Sequence, residues 1–428
     1  MKKFVFVAVF YFIFLILNSC YSQPTKIQFE NGFTLVYSEK KNLGLVSINL
    51  FVKGGAFTES DEVSGITSIT CAVLTKGTSN RDSDRIASES ESLGASISAG
   101  CLDDFLEVSM IVLSENFMSA FDIFADVVNA PTFPADEFEK EKIKTIAAIK
   151  SKTDHIFSVG YDLFNEQIFT NHPYHRPVIG YEITVSSLTV EQVVDTHKKL
   201  FKPENMVLCV VGDIEFEKAK SVVQKYFGNI WIDTGIREKL SSSSKIRDNS
   251  YKKIVEGKFK QSYIFTGFLA PDVTSKEYAV VKVISTILGG GMGSRLFEAL
   301  REKSGLVYEA SSFYPTRKEP SAFVLYAGTS KENIETVESV LADELKKLAE
   351  ITDDELKNAK EYLKGTYQLD HRTIQRQAWW LGFWEILGKG YEYDKKYLDD
   401  IDKVTIADIK TTCEKIFNAK KEVTIILK

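Results

Sequence analysis

The sequence predicts an α+β fold of two homologous lobes, each an antiparallel-rich sheet with helices packed on one face. Three observations predict it. Segments of the chain resemble one another at an offset of about 216 residues, the mark of a duplicated module. Strand-like and helix-like segments mix within each half without regular β-α-β alternation, which disfavours a doubly wound parallel sheet. And 428 residues with 44% hydrophobic and 26% charged side chains suit ordinary globular cores, with two or three domains as the natural expectation.

The first residues stand apart from the rest. Lys2 and Lys3 precede an uninterrupted apolar run from Phe4 to Leu17, the layout of an export signal and shorter than the roughly 20 residues that cross a bilayer. Leu17-Asn18-Ser19-Cys20 resembles a bacterial lipoprotein cleavage box, which would lipidate Cys20 and tether a periplasmic chain to a membrane. Asn18 is an uncommon residue in such a box, and cleavage with release is the alternative. Net charge is −6 with acidic and basic residues interleaved, so nothing points to nucleic acid. Cys71, Cys101, Cys209 and Cys413 form no C-x-x-C pair and no metal-ligand spacing; they read as small buried apolar residues.

The duplication can be followed from strand to helix to strand. Ser47 to Ser60 parallels Ser262 to Ser275, each an alternating strand entering a turn. Ser187 to His197 and the strand Met206 to Val211 match Lys403 to Cys413 and Val423 to Leu427. Thr189 and Thr405 sit where N-caps belong, with apolar residues at helical spacing after each. Long helices, Ala135 to Lys152 after Pro134 and Asp353 to Tyr367 after Thr352, also correspond. Between the halves, Asp233 to Tyr251 loses all periodicity around Ser241-Ser-Ser-Ser244 and reads as a linker. The expected layout is an export segment 1–20, a first domain 24–232, the linker 233–251 and a second domain 252–428.

In the first half, Gly65-Ile-Thr-Ser-Ile-Thr-Cys-Ala-Val-Leu-Thr-Lys-Gly-Thr78 resembles a signature of the pitrilysin/insulinase zinc metallopeptidases, in their mitochondrial-processing-peptidase-like bacterial branch. The resemblance spans essentially the whole chain from about residue 24. Active members carry Gly-Leu-x-His-x-x-Glu-His-x-x-x-Lys-Gly-Thr here, and Gly65, Ile66, Lys76, Gly77 and Thr78 keep its register. Two histidines four apart on one helix face bind zinc, and the glutamate beside the second activates water. In this sequence those three places hold Ser68, Ala72 and Cys71. The family's third ligand lies seven residues after another glutamate on the next long helix; with Glu141 as that glutamate, the ligand position is Ala148. Serine and alanine cannot replace neutral imidazoles, and a lone thiol at Cys71 makes a poor site. The expectation is no cofactor in this chain.

The second half keeps the family's other signature, Leu288-Gly-Gly-Gly-Met-Gly-Ser-Arg-Leu-Phe-Glu-Ala-Leu-Arg-Glu-Lys-Ser-Gly-Leu-Val-Tyr308. It reads as a glycine-rich turn, a short helix closed by Gly305 and a strand; no Gly-Lys-Ser/Thr follows, so it is not a phosphate loop. Relatives place an arginine and a tyrosine seven apart here and use them on the substrate backbone and the oxyanion, which the resemblance carries to Arg301 and Tyr308. The family also pairs substrate to a sheet edge in the first half, at a place matched by Gly94, Ala95, Ser96, Ile97, Ser98 and Ala99. Backbone pairing needs no particular side chains, and an ordinary strand is the alternative. His172-Pro-Tyr-His175 is a turn because of Pro173, and Trp379 to Trp384 reads as core or lobe-to-lobe packing.

These readings imply a non-catalytic partner subunit of a two-chain zinc peptidase. It would enclose unfolded peptides and present Arg301 and Tyr308 to a zinc site on a homologous subunit that bears the motif. A peptide-binding or assembly scaffold with no role in proteolysis is the alternative from a different class. A self-sufficient peptidase with a relocated metal would need Cys71 or His172 as ligands.

Overall fold

Two sheets carry the repeat. The computed structural model describes residues 23–228, 247, 249–257 and 259–428. The apolar run Phe4 to Leu17, Cys20 and most of the Asp233 to Tyr251 linker lie outside the described residues. The first half contributes strands β1 (Thr25–Gln28), β2 (Thr34–Glu39), β3 (Leu45–Lys53), β4 (Ser96–Cys101), β5 (Phe105–Leu113) and β6 (Met206–Gly212). The second contributes β7 (Tyr251–Val255), β8 (Ser262–Ala270), β9 (Val307–Phe313), β10 (Ser321–Thr329) and β11 (Val423–Leu427). Tyr251 pairs with Val423, so the second half starts one residue before the expected boundary.

The sheet orders are β1-β2-β6-β3-β5-β4 and β7-β11-β8-β10-β9. Remove β1 and the two coincide. In each, one parallel pair, β2 with β6 and β7 with β11, precedes three antiparallel pairs. Agreement in order and in strand direction is what a duplicated module requires.

Most of the helices repeat in the same order, though the one after β6, Phe216–Val223, has no counterpart after β11. The first half has α1 (Ile66–Leu74), α2 (Ser83–Ser92), α3 (Phe117–Asn129), α4 (Ala135–Lys152), α5 (Ile156–Ile168), α6 (Glu182–Ser187), α7 (Val190–Leu200) and α8 (Phe216–Val223). The second has α9 (Tyr278–Gly289), α10 (Ile334–Lys346), α11 (Asp353–Asp370), α12 (Ile374–Ile386), α13 (Tyr393–Lys403) and α14 (Ile406–Ile416). Thr189 and Thr405 close capping boxes with Gln192 and Asp408, and Thr352 does the same with Glu355. Each box satisfies backbone donors that the first helical turn leaves free.

One feature extends the single covered face read from the sequence. Each half lends a helix to the other: α5 lies on β8 and β11, while α12 lies on β3 and β6. The central strands are therefore covered on both faces. Seven residues of β3, from Val46 to Val52, are buried in succession, and all of β6 is buried, so the alternation expected of a half-exposed strand is absent. Phe51, Phe105, Val207, Cys209 and Val211 of the first sheet consequently belong to the same apolar cluster as Trp384 and Leu381. The aromatic run Trp379 to Trp384 is the lobe-to-lobe contact.

A second contact joins equivalent loops. The β4–β5 turn meets the β9–β10 loop where Arg317 pairs with Asp103 (Nη2 to Oδ2, 2.9 Å) and stacks 4.4 Å over Tyr174. Tyr174 donates to Asp104 (2.5 Å), which also accepts from the Lys318 backbone (3.0 Å).

Candidate functional site

The degenerate segment folds as the helix its sequence suggests. Glu59 caps α1: Oε2 accepts from the Gly65 backbone at 2.8 Å, and Oε1 accepts from the Thr67 backbone at 2.9 Å and its hydroxyl at 2.5 Å. Burial pushes the Glu59 carboxyl up to about 7 against the opposing pull of these donors. Ile66, Ile69, Val73 and Leu74 bury the helix in the first core. Ser68 and Ala72, one turn apart, are half-buried. Cys71 is buried and donates to the Gly100 carbonyl at 3.2 Å, and burial raises its thiol well above the ordinary range.

The Lys-Gly-Thr frame has structural duties of its own. Lys76 pairs with Glu141 at 3.3 Å, tying α1 to α4. A Cβ at Gly77 would stand 2.9 Å from Pro134. Thr78 donates to buried Asp126 at 2.6 Å, which Arg81 also holds at 2.8 Å. These contacts give a reason for the frame to persist when the residues between its ends differ.

The residues present do not fit a zinc ion. Ser68 and Ala72 offer no imidazole, the Cys71 thiol is engaged with a backbone carbonyl, and Ala148 presents an exposed methyl on α4. Among the described residues no group of three or more His, Cys, Asp or Glu side chains could hold a metal. His172-Pro-Tyr-His175 is a short 3-10 turn in which His172 Nδ1 accepts from the Tyr174 backbone at 3.2 Å. Burial lowers His172 to about 4. It shares its surroundings with the Arg317–Tyr174 stack, a packing role.

Arg301 and Tyr308 come together at the other sheet's edge. Arg301 lies in the last turn of the helical segment Phe297–Glu302, and its guanidinium donates to the backbone carbonyls of Val307, at 3.3 Å, and Tyr308. Tyr308 lies in β9, the outermost strand, beside the irregularity in β9–β10 pairing, with its side chain 58% exposed. The guanidinium is thus held on the backbone of the strand that exposes the Tyr308 phenol, and both side chains are donors accessible from solvent.

β4 is the outermost strand of the first sheet. Gly94, at φ +63°, and buried Ala95 form the turn that feeds it, and Ser96, Ile97, Ser98 and Ala99 lie within it, serines exposed and Ile97 and Ala99 half-buried. The same edge carries a group that the sequence does not advertise. Glu107 of β5 is held by Asn49 and Trp379, and a glutamate in an alternating strand looks like any solvent-facing charge. Only the register, which sets it opposite Gly100, and an indole from the other half reveal it.

Comparison with known proteins agrees with this geometry. The insulinase (peptidase family M16) model matches residues 35–182, and the model described as the peptidase M16 inactive domain matches residues 187–363. An uncharacterized zinc protease of Rickettsia felis is 27% identical over 398 residues, covering 91% of this chain and 94% of the relative. The uncharacterized zinc protease YmxG of Bacillus subtilis is 24% identical, covering 93% and 96%. Among solved structures, a protease from Helicobacter pylori superposes with a TM-score of 0.88 at 20% identity, covering 95% of this chain and 99% of its own. A peptidase M16 inactive domain from Pseudomonas fluorescens does so with 0.85 at 23%, covering 95% and 98%. Two consecutive family models, relatives matched along nearly their full length and a repeated sheet order lead to one conclusion: this chain belongs to the insulinase (M16) peptidase family, as a non-catalytic member whose zinc-motif positions hold Ser68, Cys71 and Ala72.

Proposed function

We propose that the chain is a partner subunit of a heteromeric zinc peptidase, closing over an extended peptide and supplying Arg301 and Tyr308 to chemistry at a site on a homologous, motif-bearing chain. The observation that carries this reading is the contrast between the two lobes. At the metal positions of the first, the fold persists around residues that cannot ligate. On the second, Arg301 is anchored to the strand that displays Tyr308, and both remain exposed. Donors held in advance on a rigid strand stabilise negative charge without reorganising as it develops. In this reading they act on the peptide backbone and the oxygen that becomes anionic during cleavage, and no metal step occurs on this chain. Export to the periplasm, with or without a lipid on Cys20, belongs to the same proposal.

The test is to purify the full chain with and without a homologue carrying intact His-x-x-Glu-His and to assay a flexible peptide. The partner reading expects copurification and hydrolysis faster than the homologue achieves alone. A mixture no more active than the homologue counts against it and favours a peptide-binding scaffold.

A further inference from the structure

Beside β4 the face of the first sheet on which α12 packs holds a groove of about 290 Å³, floored by Asn49, Ser98, Glu107 and Ser109 and walled by Arg376 and Trp379 of α12. Among the described residues that line it, Glu107 is the only carboxylate. Oε1 accepts from Asn49 Nδ2 at 2.6 Å and Oε2 from Trp379 Nε1 at 3.0 Å, two neutral donors. A carboxylate can accept about four hydrogen bonds, and among the described residues Glu107 has no ion-pair partner. The nearest cation in the groove, Arg376, is committed elsewhere: it is paired with Asp370 at 2.7 Å and stacked 4.3 Å over Trp379. Burial raises the Glu107 carboxyl against the opposing pull of the Asn49 and Trp379 hydrogen bonds and of the Arg376 charge. A sunken carboxylate served by neutral donors is the electrostatic counterpart of an absent cation.

The strand register shows how a cation could arrive. Gly100 of β4 stands directly opposite Glu107 of β5, and a Cβ at Gly100 would meet nothing within 4 Å. The neighbouring positions on this face are small, with Ser98 sharing a hydroxyl contact of 2.8 Å with Ser109. An open lane therefore runs from the free edge of β4, over Gly100, to Glu107. A strand added to that edge would lie about 4.8 Å beyond β4 and so about 10 Å from β5. Short side chains cannot span that distance, and long neutral ones would leave the carboxylate without its counter-charge.

We propose that this groove is a subsite for a lysine or arginine side chain of an extended peptide paired to β4, with Glu107 as the counter-charge and Gly100 as the passage. The proposal rests on the reading of β4 as a peptide-pairing edge. It is independent of the partner zinc site and of Arg301 and Tyr308.

The experiment measures binding of two short labelled peptides to the full chain by fluorescence anisotropy. Both alternate threonine and valine; one carries a central lysine and the other norleucine. The lysine peptide is expected to bind about tenfold more tightly, as a charge-assisted hydrogen bond would give. Glu107→Gln should abolish the difference by weakening the lysine peptide. Gly100→Val, at a backbone position open to any residue, should weaken the lysine peptide by obstructing the lane, and its urea midpoint reports whether the fold is kept. Equal affinities in the unmodified chain overturn the subsite and leave strand pairing standing. No binding of either peptide overturns strand pairing, and the subsite with it.

Discussion

Gly382 of α12 rests directly on the ring of Phe51 in β3: a Cβ at position 382 would stand 2.0 Å from Phe51 Cε2. The reciprocal helix has the same character, since a Cβ at Gly160 of α5 would stand 2.3 Å from Phe265 and 2.7 Å from Leu427. Adding a methyl to a filled core forces ring and helix apart, at a cost of typically 1–3 kcal/mol. Gly382→Ala and Gly160→Ala should each lower the urea midpoint of the chain by that order. Because each substitution strains a contact between halves, near-UV and far-UV signals should shift together. Unchanged midpoints would contradict the exchanged-helix packing.

The Arg317 clasp should be equally sensitive to removal of one partner. Arg317→Met leaves Asp103 and Asp104 near each other with no guanidinium, and breaking a buried pair in this way costs about 3–5 kcal/mol. Asp103 is a quarter exposed, so the lower end of that range is expected. The double variant Arg317→Met with Asp103→Leu should recover part of the loss. A single variant with the unmodified chain's midpoint would show the clasp to be without consequence.

Glu59 gives the helix that carries the degenerate motif a pH signature. Its carboxyl titrates at about 7 in the folded chain, against 4.5 as its ordinary value. An acid with a raised folded pKa favours the protonated fold. Its contribution is fully present below about pH 4.5 and is lost as pH rises through 7, at up to about 3 kcal/mol. Stability measured from pH 4.5 to 8 should contain this falling component, and Glu59→Gln should flatten it. A variant with the same pH slope as the unmodified chain would remove Glu59 as its source.

Much of this architecture is legible in the sequence because duplication preserves local signals. Thr189 and Thr405 are capping residues in any context, and the glycine-rich turn from Gly289 to Gly293 and the helix-closing Gly305 punctuate the second half wherever they pack. The exchange of α5 and α12 is not legible, because amphipathic spacing says that a helix buries one face and not against which sheet. Trp379 to Trp384 could be recognised as packing, yet its partner Phe51 is more than half the chain away. Site chemistry divides similarly. Ser68, Cys71 and Ala72 are visible because the frame around them keeps its register, whereas Glu107 has no local motif and depends on a β4–β5 register and an indole from the other lobe.

The most direct test of the partner account is the turnover of the reconstituted peptidase when only this chain is altered. Tyr308→Phe removes one exposed hydroxyl and should preserve assembly and stability, whereas Arg301→Ala also removes the bonds to the Val307 and Tyr308 carbonyls, so its urea midpoint is measured beside its turnover. Losing a preorganised donor to developing negative charge lowers kcat by about 10²–10³-fold, and each substitution should approach that loss while the homologue's own sequence is untouched. Turnover equal to that of the unmodified mixture in both variants would contradict the account and leave this chain as an enclosure or scaffold alone.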